Sequence, residues 1–120
     1  MILADTSVWI DYFRFRRSFG SFAELLSSGR IVMHPYVLGE LACGNLAERT
    51  QTITDLSRMR PASVATNPEV LTLIEAHGLY GRGLGYTDVH LLAAARLGPH
   101  RLLTRDKRLA AAADQLGVAA

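Results

Sequence analysis

The chain has 120 residues, of which 49% are apolar and 20% charged, with a formal charge of +2, which is the make-up of one ordinary globular domain spanning 1–120. The single cysteine, Cys43, excludes an internal disulfide and any zinc site built on several cysteines, and a reducing, cytoplasmic setting is the simplest expectation. No run approaches the roughly twenty apolar residues of a membrane span, and no export signal is expected ahead of Asp5; the mild basicity permits a polyanionic partner without establishing one.

Short apolar strands alternate with amphipathic helices along the chain. Ile2-Leu-Ala reads as a buried strand cut off by Asp5, with Thr6 and Ser7 as capping candidates for a helix that puts Trp9 and Phe13 on one face. A second helix is expected over Phe19 to Leu26, ended by Gly29. Ile31-Val-Met is the second strand, and Pro35 opens the next helix, with Val37, Leu38, Leu41 and Ala42 apolar and Gly44 weakening its end. A helix from Leu46 to Met59 follows, closed by Pro61, and then a weak strand near Ser63-Val-Ala. Asn67-Pro68-Glu69 starts a helix with Val70, Leu71, Ile74 and His77 at helical spacing. After the glycine-rich stretch Gly78 to Gly85, Thr87 is expected to cap a strongly apolar helix ended by Gly98-Pro99. Arg101-Leu-Leu-Thr is the fourth strand, Asp106 to Gln115 the last helix, and Gly117-Val-Ala a final edge strand. This alternation predicts an α/β fold, a three-layer α/β/α sandwich on a parallel sheet of about five strands.

Ligands of open parallel sheets bind outside the carboxyl ends of the strands. Asp5 directly follows the first strand and Asp106 lies two residues past the fourth, so both are expected on one rim. Glu40 and Asp88 reach that rim from flanking helices. Taken singly, Asp5 reads equally well as a helix cap, whereas Asp88 and Asp106 each read first as structural acids favoured by a helix N-terminus. Together, four acids on one rim need protons or a cation, and all-oxygen ligation suits Mg²⁺ or Mn²⁺. The other acids, including Asp11 and Glu69, read as solvated surface charges.

Four stretches then resemble one family. Leu3-Ala-Asp5-Thr-Ser-Val-Trp-Ile-Asp11 is similar to the start of PIN-domain toxins of the VapC group, and His34-Pro35 with Gly39-Glu40-Leu41 to their second acidic motif. Gly81-Arg-Gly-Leu-Gly-Tyr-Thr-Asp88-Val-His90-Leu-Leu-Ala resembles the third, and Leu103-Thr104-Arg-Asp106-Lys-Arg-Leu109 the fourth. The resemblance implies a five-stranded parallel sheet, Mg²⁺- or Mn²⁺-dependent endoribonuclease activity, a cognate VapB-type antitoxin and a homodimer. It makes Asp5, Glu40, Asp88 and Asp106 the catalytic and metal-ligating quartet, with Thr6 and Thr104 holding a metal-bound water or a phosphate oxygen. The implied products carry a 3′-hydroxyl and a 5′-phosphate.

Arg82, Arg105, Lys107 and Arg108 are candidate RNA contacts, and Arg14, Arg16 and Arg17 form a basic run interleaved with Phe13 and Phe15 that reads equally well as a solvated helix end. The glycine stretch lacks the Gly-Lys-Ser/Thr ending of a nucleotide-binding loop and reads as the connection that delivers Asp88. His90 reads as a packed histidine, and His34, His77 and His100 show no zinc spacing. Trp9, Tyr12, Phe13, Phe19 and Phe22 divide between core and an apolar groove for an antitoxin helix. A signalling receiver domain would need paired acids after the first strand, and a haloacid-dehalogenase-type phosphatase an acid where Ser7 stands. The alternative that keeps all four acids is a non-catalytic module binding RNA or an Arg-rich peptide.

Overall fold

The computed structural model describes residues 1–15 and 20–120. Its elements are β1 (Ile2–Ala4), α1 (Thr6–Arg14), α2 (Gly20–Ser27), β2 (Ile31–Val32), α3 (Pro35–Ala42), α4 (Arg49–Ser57), α5 (Asn67–His77), α6 (Tyr86–Leu97), β3 (Arg101–Leu103) and α7 (Lys107–Gln115). The strands form a parallel sheet in the order β2-β1-β3, with Ile2 opposite Ile31 and Arg101, and Leu3 opposite Val32 and Leu102. β1 is central, so the chain order reverses at its end, directly at Asp5.

Among the described residues the sheet has three strands rather than about five. The expected last strand, Gly117-Val-Ala, shrinks to a single parallel bridge of Leu102 with Ala119, and a second lone bridge joins Met33 to Pro61, ahead of the segment expected to form a strand. Met33 donates to the Arg60 carbonyl at 2.9 Å and accepts from the Ala62 N–H at 2.9 Å, and the ladder stops there. Pro61 has no N–H to extend it, and the weak strand expected at Ser63-Val-Ala does not form.

The core is aliphatic on the sheet and aromatic between α1 and α2. Leu3, Ala4, Val32 and Leu102 are sealed by Leu91, Leu92, Ala94 and Ala95 of α6 and by Leu109, Ala112 and Ala113 of α7. Trp9 meets Phe13 at 5.9 Å and Phe22 at 5.1 Å between ring centroids, so the expected one-turn pair on α1 is formed and carries α2 with it. Phe19, Arg16 and Arg17 lie outside the described residues.

Other boundaries moved for local reasons. α4 begins at Arg49, not Leu46, because Glu48 takes the left-handed conformation (φ 50°) and breaks the helical run. The Arg49 guanidinium donates to the Gly44 and Ala42 carbonyls instead, covering the end of α3. α6 starts one residue before Thr87: Gly85 is the N-cap, and Asp88 accepts its N–H at 2.9 Å. Glu69 is not merely solvated, since it closes a capping box with Thr66 at the start of α5. Leu71, expected among the inward positions of α5, is exposed, and Val70 is buried.

His34 is fully buried and acts as the N-cap of α3, its Nδ1 accepting the Tyr36 N–H at 3.0 Å. Burial, reinforced by the neighbouring His90, lowers its pKa from 6.5 to about 4. Protonation is therefore harder in the folded chain than in the unfolded one. Stability is expected to be intact above pH 6.5 and to fall as pH drops from 6.5 towards 4. Urea melts across this window check it, and a His34→Asn variant, which keeps a capping acceptor, should lose that part of the slope.

Candidate active site

Asp5 is 6% exposed and holds three bonds at once. Its Oδ1 accepts the Val8 N–H at 3.2 Å and the Ser7 hydroxyl at 2.5 Å, while its Oδ2 accepts the Thr104 hydroxyl. The backbone N–H of Asp5 donates to the Leu103 carbonyl at 3.0 Å, tying the end of β1 to the end of β3. The capping role and the placement on the rim thus coexist in one side chain.

Asp106 caps α7 through Oδ1, which accepts from Arg108 N at 2.8 Å and Leu109 N at 3.1 Å. Its own N–H donates to Thr104 Oγ1 at 3.0 Å. Thr104 therefore sits between the first and fourth acids, receiving from one and donating to the other. Glu40, in the second turn of α3, accepts the Thr6 hydroxyl at 2.7 Å through Oε1. Both threonines that were expected near the acids are there, and their hydroxyls orient carboxylates.

Asp88 reports the gathering of the four groups. Partial burial pushes its carboxyl pKa up, the Gly85 N–H works against this, and the charges of Asp106, Asp5 and Glu40 push it up further. Side chains from residues 5, 40, 88 and 106 thus share one electrostatic neighbourhood at the carboxyl end of the sheet. Among the described residues, no three Asp, Glu, His or Cys side chains close into a ready-made ligand cage. Each acid is instead held by its own hydrogen bond. The donor set is all oxygen and mutually repulsive, which fits a hard divalent cation and no soft one.

The basic side chains take up defined places. Arg105 pairs with Asp11 at 3.1 Å, so Asp11, expected as a solvated charge, links α1 to the turn after β3. Arg82 donates to Gln115 on α7, and the Arg108 side chain fills the space where a Cβ on Gly83 would lie. Lys107 and Arg108 are exposed beside Asp106, and Arg14 is exposed at the end of α1. Sequence reading missed Ser7 as a site residue, although the run Asp-Thr-Ser signalled it: its hydroxyl donates to Asp5 and accepts the Arg105 N–H at 3.1 Å. His90 is packed, as expected, at 1% exposure.

The surface carries two clefts, of which only the first touches one of the four acids. One of about 370 Å³, between α1 and the end of α3, is lined by Ile10, Phe13, Leu41 and Leu46 and edged by Arg14 and Glu40. The other, about 470 Å³ and mostly apolar, lies between α5 and α6 with Leu73, Ala76, Ala93 and Leu97 in its wall. None of the described helices is long and apolar enough to cross a membrane.

Comparison with known proteins follows the same span. A family model described as PIN domain matches residues 2–115. Two curated proteins called Ribonuclease VapC32, from Mycobacterium tuberculosis strains CDC 1551 / Oshkosh and ATCC 25618 / H37Rv, are each 43% identical to the chain over 120 residues. The alignments cover 99% of this chain and 95% of each relative.

Proposed function

The chain belongs to the PIN-domain family, in its VapC ribonuclease toxin group, and on that premise we propose that it is an endoribonuclease that needs Mg²⁺ or Mn²⁺ and is silenced by a cognate VapB-type antitoxin. One observation carries the reading: the charges of Asp5, Glu40 and Asp106, distant in sequence, all bear on the partly buried Asp88 carboxyl and raise its pKa. Repulsion of this kind is tolerable when a cation completes the site.

Asp5 and Asp88 are the leading ligands, with Glu40 and Asp106 holding the cation directly or through water. When bound, a divalent ion of this type acidifies water and offsets charge on the phosphoryl oxygens. The chain's own residues do the positioning. Ser7 and Thr104 fix the Asp5 carboxylate, Thr104 couples it to Asp106, and Thr6 steadies Glu40. The Asp88 carboxyl, whose pKa partial burial and the three neighbouring charges raise, would have that rise offset by a bound cation. Attack by water in line with the departing 3′-oxygen leaves a 3′-hydroxyl and a 5′-phosphate. Lys107 and Arg108 beside Asp106, with Arg105 and Arg82 set back against Asp11 and Gln115, supply the positive charge for RNA phosphates.

The cleft beside Glu40 supports the antitoxin assignment, because an apolar segment seated there could place an Arg against that carboxylate. The apolar cleft between α5 and α6 supports a homodimer. The chain as one domain in the cytoplasm completes the reading. Purified, antitoxin-free protein incubated with RNA is expected to cleave with Mg²⁺ and to stop on addition of EDTA. No cleavage of any RNA under either condition would favour a non-catalytic binding module.

A further inference from the structure

Beside the acidic rim lies an aromatic cluster that the carboxylates do not use. At its centre is the His90 imidazole, buried on α6. Tyr36 approaches it at 4.6 Å between centroids and Tyr86 at 4.7 Å, with interplanar angles of 59° and 89°. His34, also buried, lies 6.4 Å from His90 and 5.1 Å from Tyr36. The two histidines belong to the interior, but the tyrosines do not: Tyr36 is 38% and Tyr86 45% exposed. The Tyr86 hydroxyl donates to Asn67 Oδ1 at 2.7 Å, which fixes the ring from its far end.

Their position relative to the acids follows from helix geometry. Tyr36 stands one turn before Glu40 on α3 and therefore shares its face. Tyr86 is the first residue of α6, two positions before Asp88. Tyr36 thus borders the acidic centre directly, and Tyr86, which at two positions from Asp88 does not share its face, joins that border through His90, one turn along α6, on which both exposed rings are seated.

We propose that Tyr36 and Tyr86 form a stacking platform for bases of single-stranded RNA, placing the phosphate between or next to those bases at the acidic rim; this rests on reading the rim as a ribonuclease site. Unpaired bases offer free π-faces to aromatic side chains, and such stacking tolerates any base. Rings already ordered by packing lose little freedom on binding, so most of the stacking free energy is kept. Bases inside a duplex are already stacked on each other, so the platform selects loops and unpaired segments.

The test separates stacking from cleavage. Full-length protein in EDTA at low salt is titrated with a short single-stranded oligoribonucleotide carrying 2-aminopurine, whose fluorescence falls on stacking. Wild type is expected to quench it. Tyr36→Leu and Tyr86→Leu, checked for folding by circular dichroism, should each weaken binding by about 5- to 10-fold and reduce the quenching. Tyr36→Phe and Tyr86→Phe should retain both. No quenching by wild type, Leu variants that quench normally, or Phe variants that lose as much as Leu variants would each overturn the platform. Quenching without Mg²⁺-dependent cleavage would instead sink the ribonuclease reading and leave the platform standing.

Discussion

Asp5→Asn is expected to lower RNA cleavage by roughly a thousandfold or more while the chain stays folded. Asparagine is as good a helix cap as aspartate, so its carbonyl can keep the Val8 N–H bond that starts α1. The new amide group would point at Thr104, whose oxygen has a lone pair to spare, so the tie to β3 is weakened more than broken. What asparagine lacks is the negative charge and the anionic oxygens that a hard cation requires. The stability cost should stay within about 1 kcal/mol. Gel-based cleavage rates, taken with thermal melts of the same preparations, check both halves. Near-normal cleavage would remove Asp5 from the site, and a collapsed fold would make its role purely structural.

Asp88→Asn is expected to abolish cleavage to a similar degree but to act on stability in the opposite direction. The Asp88 carboxyl is partly buried among Asp106, Asp5 and Glu40, and its pKa is raised. For an acid whose folded pKa lies above its unfolded one, folding favours the protonated form. The metal-free protein is therefore most stable at low pH with respect to this group, and loses that contribution as pH climbs past the ordinary carboxylate pKa to the raised value. Asparagine removes the charge and still offers an oxygen to the Gly85 N–H. In EDTA at pH 7 the variant should melt at the same temperature as wild type or higher. Added Mg²⁺ should raise the melting temperature of wild type and have much less effect on the variant. A variant that melts several degrees lower, or responds to Mg²⁺ as wild type does, contradicts this account of the acid cluster.

These two substitutions act on a candidate site whose acids are legible in the sequence before their arrangement is. Asp5 and Asp106 are placed on a rim because the first directly follows an apolar strand and the second comes within a few residues of the end of another, and that inference needs only the rule for ligands in parallel sheets. Asp88 and Glu40 could be placed only in helices. Their turn towards the rim depends on which face of α3 is buried and on where α6 begins, which the Gly85 cap rather than Thr87 decides. The expected strand count exceeds the observed one because Gly117-Val-Ala looks like a strand in composition yet pairs through one residue, and Ser63-Val-Ala forms no strand after Pro61 ends the ladder.

Local order in this chain is written in neighbouring residues: strand length, helix periodicity, and caps such as Thr66 with Glu69 or Asp106 at α7 all depend on groups a few positions apart. Tertiary structure decided the contacts that cross the chain. Thr104 reaches Asp5 over 99 positions and Thr6 reaches Glu40 over 34, and His90 meets Tyr36 from a different helix. Such partners are selected by sheet order and helix packing, which sum many weak contacts over the whole core, so no short stretch of sequence carries them.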